Sequence, residues 1–247
     1  MKIITSLLNP EVKSVASLHM SKYRKQLNQF IAEGLRSCAT LLDAGFTPDA
    51  IYATAKMFPD TRELVSDEQI TEVTPEVMAK MSPATSPSGL LMVFQIPAQP
   101  TLDQLSPGLV LAQVADPGNM GTLMRTASAM NAKTVVCIEG TDPYSPKVVA
   151  ASAGTIGYLS IFEISWQTLL EHKQDLQLCA LIVKDGMKPS ELDLSNSLLV
   201  VGSEAHGVPY AWVAACEQKL TLQMPGRAES LNAAVAGSIA LYTMFNK

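Results

Sequence analysis

Leu109-Val-Leu-Ala-Gln-Val114-Ala-Asp-Pro-Gly-Asn119-Met-Gly-Thr-Leu-Met-Arg125-Thr-Ala reads as a buried strand that passes through a tight turn into a helix. The strand, Leu109–Val114, is apolar apart from Gln113, as in a sheet covered on both faces. Pro117 and Gly118 make the turn, and Gly121 lets backbone approach a ligand closely. Asn119 stands where a helix N-cap is expected. Arg125 is the one charged residue between Asp116 and Lys133. A lone arginine on an apolar helix calls for a carboxylate or an anionic ligand as partner.

The same alternation continues on the C-terminal side. Strands are expected at Thr134–Ile138, Leu176–Val183, Leu198–Val201 and Lys219–Leu222, with helices at Met120–Met130, Trp166–His172, Tyr210–Cys216 and Ser230–Phe245. Strand–helix alternation with apolar strands predicts a parallel sheet with helices on both faces. Ligands of such sheets bind beyond the carboxyl ends of the strands, which directs attention to the strand exits. A second exit, Val200-Val-Gly202-Ser-Glu204-Ala-His206-Gly207, brackets one carboxylate between glycines. A third, Leu222-Gln-Met224-Pro-Gly-Arg-Ala-Glu-Ser230-Leu231-Asn232-Ala233, opens a helix of small residues suited to close packing in a core or at a subunit interface. The chain lacks G-x-G-x-x-G, GxxxxGK[ST] and GxSxG, so the usual dinucleotide loop, P-loop and nucleophile elbow are not supported.

On the N-terminal side, Pro97, Pro100 and Pro107 mark a connector. This divides the chain into a smaller α/β domain over 1–96, a linker over 97–107 and a larger domain over 108–247. In the smaller domain, Asn9-Pro10 starts a helix with Val12, Val15 and Leu18 on its apolar face. Short strands are expected at Phe30–Ala32, Ile51–Ala53, Gln69–Val73 and Gly89–Ile96, with helices at Leu35–Ala44 and Glu76–Met81.

Composition excludes several classes. At 47% hydrophobic and 17% charged residues, the chain can bury a core and is not disordered. No apolar run reaches the ~18 residues of a membrane span, and Met1–Ser6 lacks an apolar signal region, so a cytoplasmic protein is expected, with no membrane partner. Cys38, Cys137, Cys179 and Cys216 form no CxxC pair and read as buried hydrophobes. The three histidines are scattered, and no metal site is expected. Net charge is −5, yet residues 1–36 sum to +4 and the remainder to −9. A basic head on an acidic body points to nucleic acid. Lys13, Lys22, Arg24, Lys25 and Arg36 are the candidate phosphate contacts.

Taken together, Asn119-Met-Gly-Thr-Leu-Met-Arg125-Thr-Ala, Gly202-Ser-Glu204-Ala-His-Gly207 and Ser230-Leu-Asn232-Ala resemble, in order and type, the three motifs of the SpoU/TrmH family of RNA ribose methyltransferases, within the SPOUT superfamily. Lys147 to Gly154 is similar to the family's connecting segment. Ser6–Lys13, Arg24 and Phe30–Gly34 resemble its substrate-binding domain, which has an L30-like α/β fold. The resemblance implies a knotted C-terminal parallel-sheet domain and S-adenosylmethionine (SAM) as cofactor. It also implies a homodimer through the C-terminal domain, and RNA as substrate. Asn119, Arg125, Glu204, Ser230 and Asn232 would form the catalytic centre. Gly202, Leu222, Met224, Leu231, Asn232 and Ala233 would hold the cofactor, and Glu204 would orient Arg125. The implied activity is 2′-O-methylation of structured RNA, with 23S rRNA as the favoured class. A tRNA enzyme and a catalytically silent RNA-binding protein are the alternatives.

Overall fold

A computed structural model describes residues 2–227 and 229–246. The chain forms two compact units. One comprises the residues up to Pro97 together with Tyr144–Gly157; the other comprises Ala98–Pro143 and the residues from Tyr158 onward.

The first unit contains β1 (Lys2–Ile4), α1 (Pro10–Ser17), α2 (Ser21–Leu27), β2 (Gln29–Glu33), α3 (Leu35–Asp43), β3 (Pro48–Ala53), α4 (Phe58–Arg62), β4 (Ile70–Val73), α5 (Pro75–Met81) and β5 (Leu90–Gln95). The strands form a mixed sheet in the order β1-β4-β3-β5-β2. One sheet face packs Ile4, Ile31, Tyr52, Val73, Leu91 and Val93 against Val12, Val15 and Leu18 of the first helical stretch and Val77, Met78 and Met81 of α5. Asn9 caps α1 by accepting the Glu11 N–H at 2.8 Å. The helix expected to start there stops at Ser17. A second one follows after Met20, which is 58% exposed.

The connecting segment belongs to this unit. Its helix, counted in chain order after the α6 helix of the second unit (Pro117–Ala129), is α7 (Pro146–Ala151), and it packs on β2. Tyr144 meets Phe30 at 5.2 Å between ring centroids, and Phe30 stacks on Phe94 at 5.6 Å. Gly154 has φ +80°, and a Cβ there would lie 2.4 Å from the Ser37 carbonyl oxygen. Glycine is therefore required where the segment turns against α3. The proline-marked boundary at 97–107 gives no hint of this excursion, because local periodicity does not report which core a helix joins.

The second unit is built on β6 (Gly108–Ala112), β7 (Thr134–Ile138), β8 (Ser160–Glu163), β9 (Gln177–Leu181), β10 (Ser197–Gly202) and β11 (Gln218–Leu220). They form a wholly parallel sheet in the order β11-β9-β10-β6-β7-β8. Every residue of β6, β7 and β10 is buried, as expected of strands covered on both faces. On one face Val110, Val136, Phe162, Leu178 and Val200 meet residues of α8 (Trp166–His172) and α9 (Tyr210–Ala215). Trp166 and Trp212 stack there at 4.7 Å, with planes 3° apart. Helices α6 and α10 (Ala233–Phe245) pack against each other, α6 on β6 and α10 on β10. Thr126 and Ser238 share a 2.9 Å hydrogen bond between these two helices. The edge strand β8 was not among the expected strands.

All four cysteines are buried and unpaired. Burial pushes the thiols of Cys38, Cys179 and Cys216 up to about 12, and that of Cys137 further, so they pack as small hydrophobes. Among the described residues no helix is long and apolar enough to cross a membrane, and no group of three potential metal ligands occurs.

Candidate active site

The helix that follows β6 is capped by Asp116, not by Asn119. The Asp116 side chain accepts the Asn119 N–H at 2.8 Å, and Pro117 fills the first helical position, where its missing N–H costs nothing. Asn119 is thus the third residue of α6 and its carboxamide is free for other work. Met120, Leu123, Met124 and Ala127 form the buried face of the helix.

At the exit of β10 the chain folds back at once. Ser203 and Gly207 exchange backbone hydrogen bonds at 3.2 and 2.9 Å, and the Ser203 hydroxyl accepts the His206 N–H at 3.3 Å. This closes a five-residue hairpin that carries Glu204 and His206. Gly202 makes the return possible: a Cβ there would lie 2.0 Å from the Gly207 carbonyl carbon and 2.1 Å from the Val208 nitrogen.

The third exit leads into α10, whose N-cap is Asn232. Its Oδ1 accepts the N–H groups of Ala234 and Val235 at 2.9 and 3.2 Å. Ala234, Gly237 and Ala240 keep the first half of α10's buried face small, and at Gly237 a Cβ would lie 2.5 Å from the Leu123 side chain, so the helix lies close to α6.

The three exits converge. Asn119 Nδ2 donates to Glu204 Oε1 at 2.6 Å, and Asn232 Nδ2 donates to Asn119 Oδ1 at 3.1 Å. Residues 85 and 113 positions apart are thereby joined at the carboxyl end of the parallel sheet. Beside them lies a cavity of about 330 Å³, within the range of small-molecule sites. Leu181, Ile182 and Val183 from the β9 exit form one wall. Val201, Gly202 and the hairpin Ser203–Gly207 form another, and Leu222, Met224, Ser230, Leu231, Ala233 and Ala236 close it.

Of the residues expected to hold a cofactor, Gly202, Leu222, Met224, Leu231 and Ala233 line this cavity. Asn232 does not; it caps α10 and holds Asn119. Glu204 and Ser230 line it, and Asn119 reaches it through Glu204. Arg125 is exposed, is not among the lining residues, and makes no hydrogen bond or ion pair among the described residues. Six residues beyond Asn119, it lies about 240° further around the helix. The carboxylate of Glu204 therefore engages Asn119, and not Arg125 as expected.

Among the basic candidates, Lys13, Lys22, Lys25 and Arg36 are exposed. Arg24 is a correction: it is 3% exposed, and its Nη1 donates to the Leu18 carbonyl at 2.7 Å. It holds the end of the first helical stretch and does not face solvent, where a phosphate would be met.

The sequence reading missed Asp116, Ser203 and the β9 wall. The strand-end rule could have found the β9 wall. Its loop is pinned by Thr221, whose hydroxyl accepts the Gly186 N–H at 3.0 Å and donates to the Ile182 carbonyl at 3.1 Å.

Comparison with known proteins agrees with this arrangement. A family model described as the SpoU rRNA Methylase family matches residues 107–242, and one described as the MRM3-like substrate binding domain matches residues 9–92. The chain is 33% identical to an uncharacterized tRNA/rRNA methyltransferase of Synechocystis sp., over 97% of this chain and 92% of that protein. It is 27% identical to the 23S rRNA (guanosine(2553)-2′-O)-methyltransferase of Bacillus subtilis, over 98% of each. The crystal structure of an AdoMet-bound rRNA methyltransferase from Sinorhizobium meliloti superposes with a TM-score of 0.86 at 26% identity, covering 98% of this chain and 97% of that one. The model match over residues 107–242 contains all three converging strand exits, and on that ground the chain belongs to the SpoU rRNA methylase family.

Proposed function

We propose that this protein transfers the methyl group of S-adenosylmethionine to a ribose 2′-hydroxyl of structured RNA, with 23S rRNA as the substrate class. The observation that carries the reading is the joining of Asn119, Glu204 and Asn232 beside a cavity walled by the three strand exits. The cavity suits the cofactor in two respects. Its apolar walls (Leu181, Ile182, Val201, Leu222, Leu231) can take a purine nucleoside, and the close return of backbone at Gly202, where a Cβ would meet Gly207 and Val208, holds the hairpin wall in place. Ribosomal RNA is favoured because the Bacillus subtilis relative, matched over 98% of each chain, is named for that substrate. A tRNA substrate is the alternative.

When bound, SAM supplies the methyl group. The chain's own residues supply position and charge. Glu204 and Ser230 present polar groups at the cavity, and Asn119 fixes Glu204. The guanidinium of Arg125 offers only N–H donors and no acceptor, so it cannot take the hydroxyl proton. Its role in this reading is to stabilise the developing alkoxide electrostatically. A dimer helps place it. Leu231, Val235, Ile239 and Tyr242 at the start of and along α10 are 39, 48, 42 and 54% exposed and recur at helical spacing. Such a stripe is what a second copy would cover. Arg125 lies on α6 next to Thr126, which bonds α10, so the covering copy would also draw Arg125 out of bulk water. The exposed Lys13, Lys22, Lys25 and Arg36 are the proposed phosphate contacts, the exit segments around α10 the proposed knot, and the cytoplasm the proposed location.

Calorimetric titration of the intact protein with SAM tests the site, and Arg125→Lys tests the chemistry. The variant is expected to bind SAM as the parent does and to lose most methyl transfer, because the planar fork is gone. Near-full turnover would refute the role given to Arg125.

A further inference from the structure

We infer that Asn119 and Asn232 are positioning residues, forming a one-way hydrogen-bond relay that obliges residue 204 to present an acceptor. The direction is set at α10. Backbone N–H groups can only donate, so the Asn232 side-chain atom facing Ala234 and Val235 must be its oxygen. Its other terminal atom, Nδ2, then faces Asn119, and the atom of Asn119 that receives it must be Oδ1. That leaves Asn119 Nδ2 to face Glu204, whose Oε1 accepts at 2.6 Å. Neither amide can flip without setting two donors or two acceptors against each other. Asp116 anchors the relay from the other side: by accepting the Asn119 N–H at 2.8 Å it fixes the backbone from which the carboxamide projects. Among the described residues Glu204 Oε2 has no hydrogen-bond partner, so the relay engages one carboxylate oxygen and leaves the other for a donor in the cavity.

The relay has a checkable logic. Aspartate caps a helix as well as asparagine does, so Asn232→Asp keeps α10 capped while replacing the outward donor with an acceptor. Asn119 must then turn its Nδ2 toward residue 232 and its Oδ1 toward Glu204, setting two oxygens against each other. With Glu204→Gln also present, the glutamine amide can donate to Asn119 Oδ1 and every group is satisfied again. Of the four combinations at 204 and 232, three are satisfied and one is frustrated.

The test is this set of four variants, each made with Asn119 and with Asn119→Ala, read in SAM dissociation constant and in melting temperature. The SAM readout rests on the function proposed above; the melting readout does not, so failure of that function is distinguishable from failure of the relay. Asn232→Asp is expected to weaken SAM binding by about fivefold or more when residue 204 is the native glutamate, and by less than about twofold in the Glu204→Gln background. The melting temperatures are expected to show the same non-additivity, and both effects to vanish with Asn119→Ala. Equal costs of Asn232→Asp in the two backgrounds would overturn the relay. So would coupling that survives Asn119→Ala, which would mean plain repulsion between the two carboxylates.

Discussion

Replacing Gly202 by alanine adds one methyl group where the structure has no room for it. The new Cβ would lie 2.0 Å from the Gly207 carbonyl carbon and 2.1 Å from the Val208 nitrogen, against 3.4 Å or more in ordinary contact. Both obstructing atoms are backbone, so no side chain can rotate away. The hairpin Ser203–Gly207 must itself retreat by more than ~1 Å. That hairpin forms a wall of the cavity and carries Glu204 to Asn119. A displacement of ~1 Å at a site of this kind costs about a hundredfold in rate, or about 2.7 kcal/mol in transition-state free energy. The assay is kcat/KM for methyl transfer, with SAM affinity by calorimetry and melting temperature as a control for folding. Gly202→Ala is expected to remain folded and to lose roughly a hundredfold in kcat/KM, with weakened SAM binding. Affinity and turnover both within about threefold of the parent would refute the argument that the close return at Gly202 shapes the site.

Other outcomes follow from the same structure. Gly154→Ala places a side chain at φ +80° and 2.4 Å from the Ser37 carbonyl oxygen; a loss of about 2–3 kcal/mol, roughly 5–10 °C in melting temperature, is expected, and an unchanged transition would show that the segment is not held there. Ile239→Asp puts a charge in the exposed stripe of α10 and is expected to convert a dimer to monomer in sedimentation; a persisting dimer would place the interface elsewhere. Burial raises the Glu217 carboxyl, but hydrogen bonds from the Lys173 ammonium and the Leu178 N–H outweigh it and hold it below the usual carboxylate range. Its stabilising effect is therefore present above the ordinary carboxylate pKa and lost as pH falls through the depressed one. Glu217→Gln is expected to melt lower than the parent at pH 7, with the gap closing in acid; a gap independent of pH would assign the effect to packing.

Much of the second unit was legible because its strands are buried on both faces. Leu109, Val110 and Leu111 or Leu198, Leu199 and Val200 can hardly be anything else, and loops after such strands carry chemistry. The cap of α6 was misassigned because Asp116-Pro-Gly-Asn119 offers two cap-competent side chains three residues apart. The one that loses the cap becomes free to reach Glu204. Arg24 looked like its neighbours Lys22 and Lys25 because charge and order were all that could be read. Its burial depends on the break after Ser17, which brings it under the Leu18 carbonyl. The β9 wall lacks polar residues at Leu181, Ile182 and Val183, so no chemical signature marks it. The placement of Tyr144–Gly157 in the first unit depends on a match to Phe30 and Ser37, and tertiary pairing of that kind leaves no local pattern.

The central claim is tested most directly by incubating the protein with methyl-labelled SAM and RNA from cells lacking the enzyme, then hydrolysing the product in alkali. A methylated 2′-oxygen cannot attack the neighbouring phosphate, so label is expected in alkali-resistant dinucleotides derived from large ribosomal RNA. Label released with mononucleotides would place the methyl group on a base and contradict the proposed chemistry.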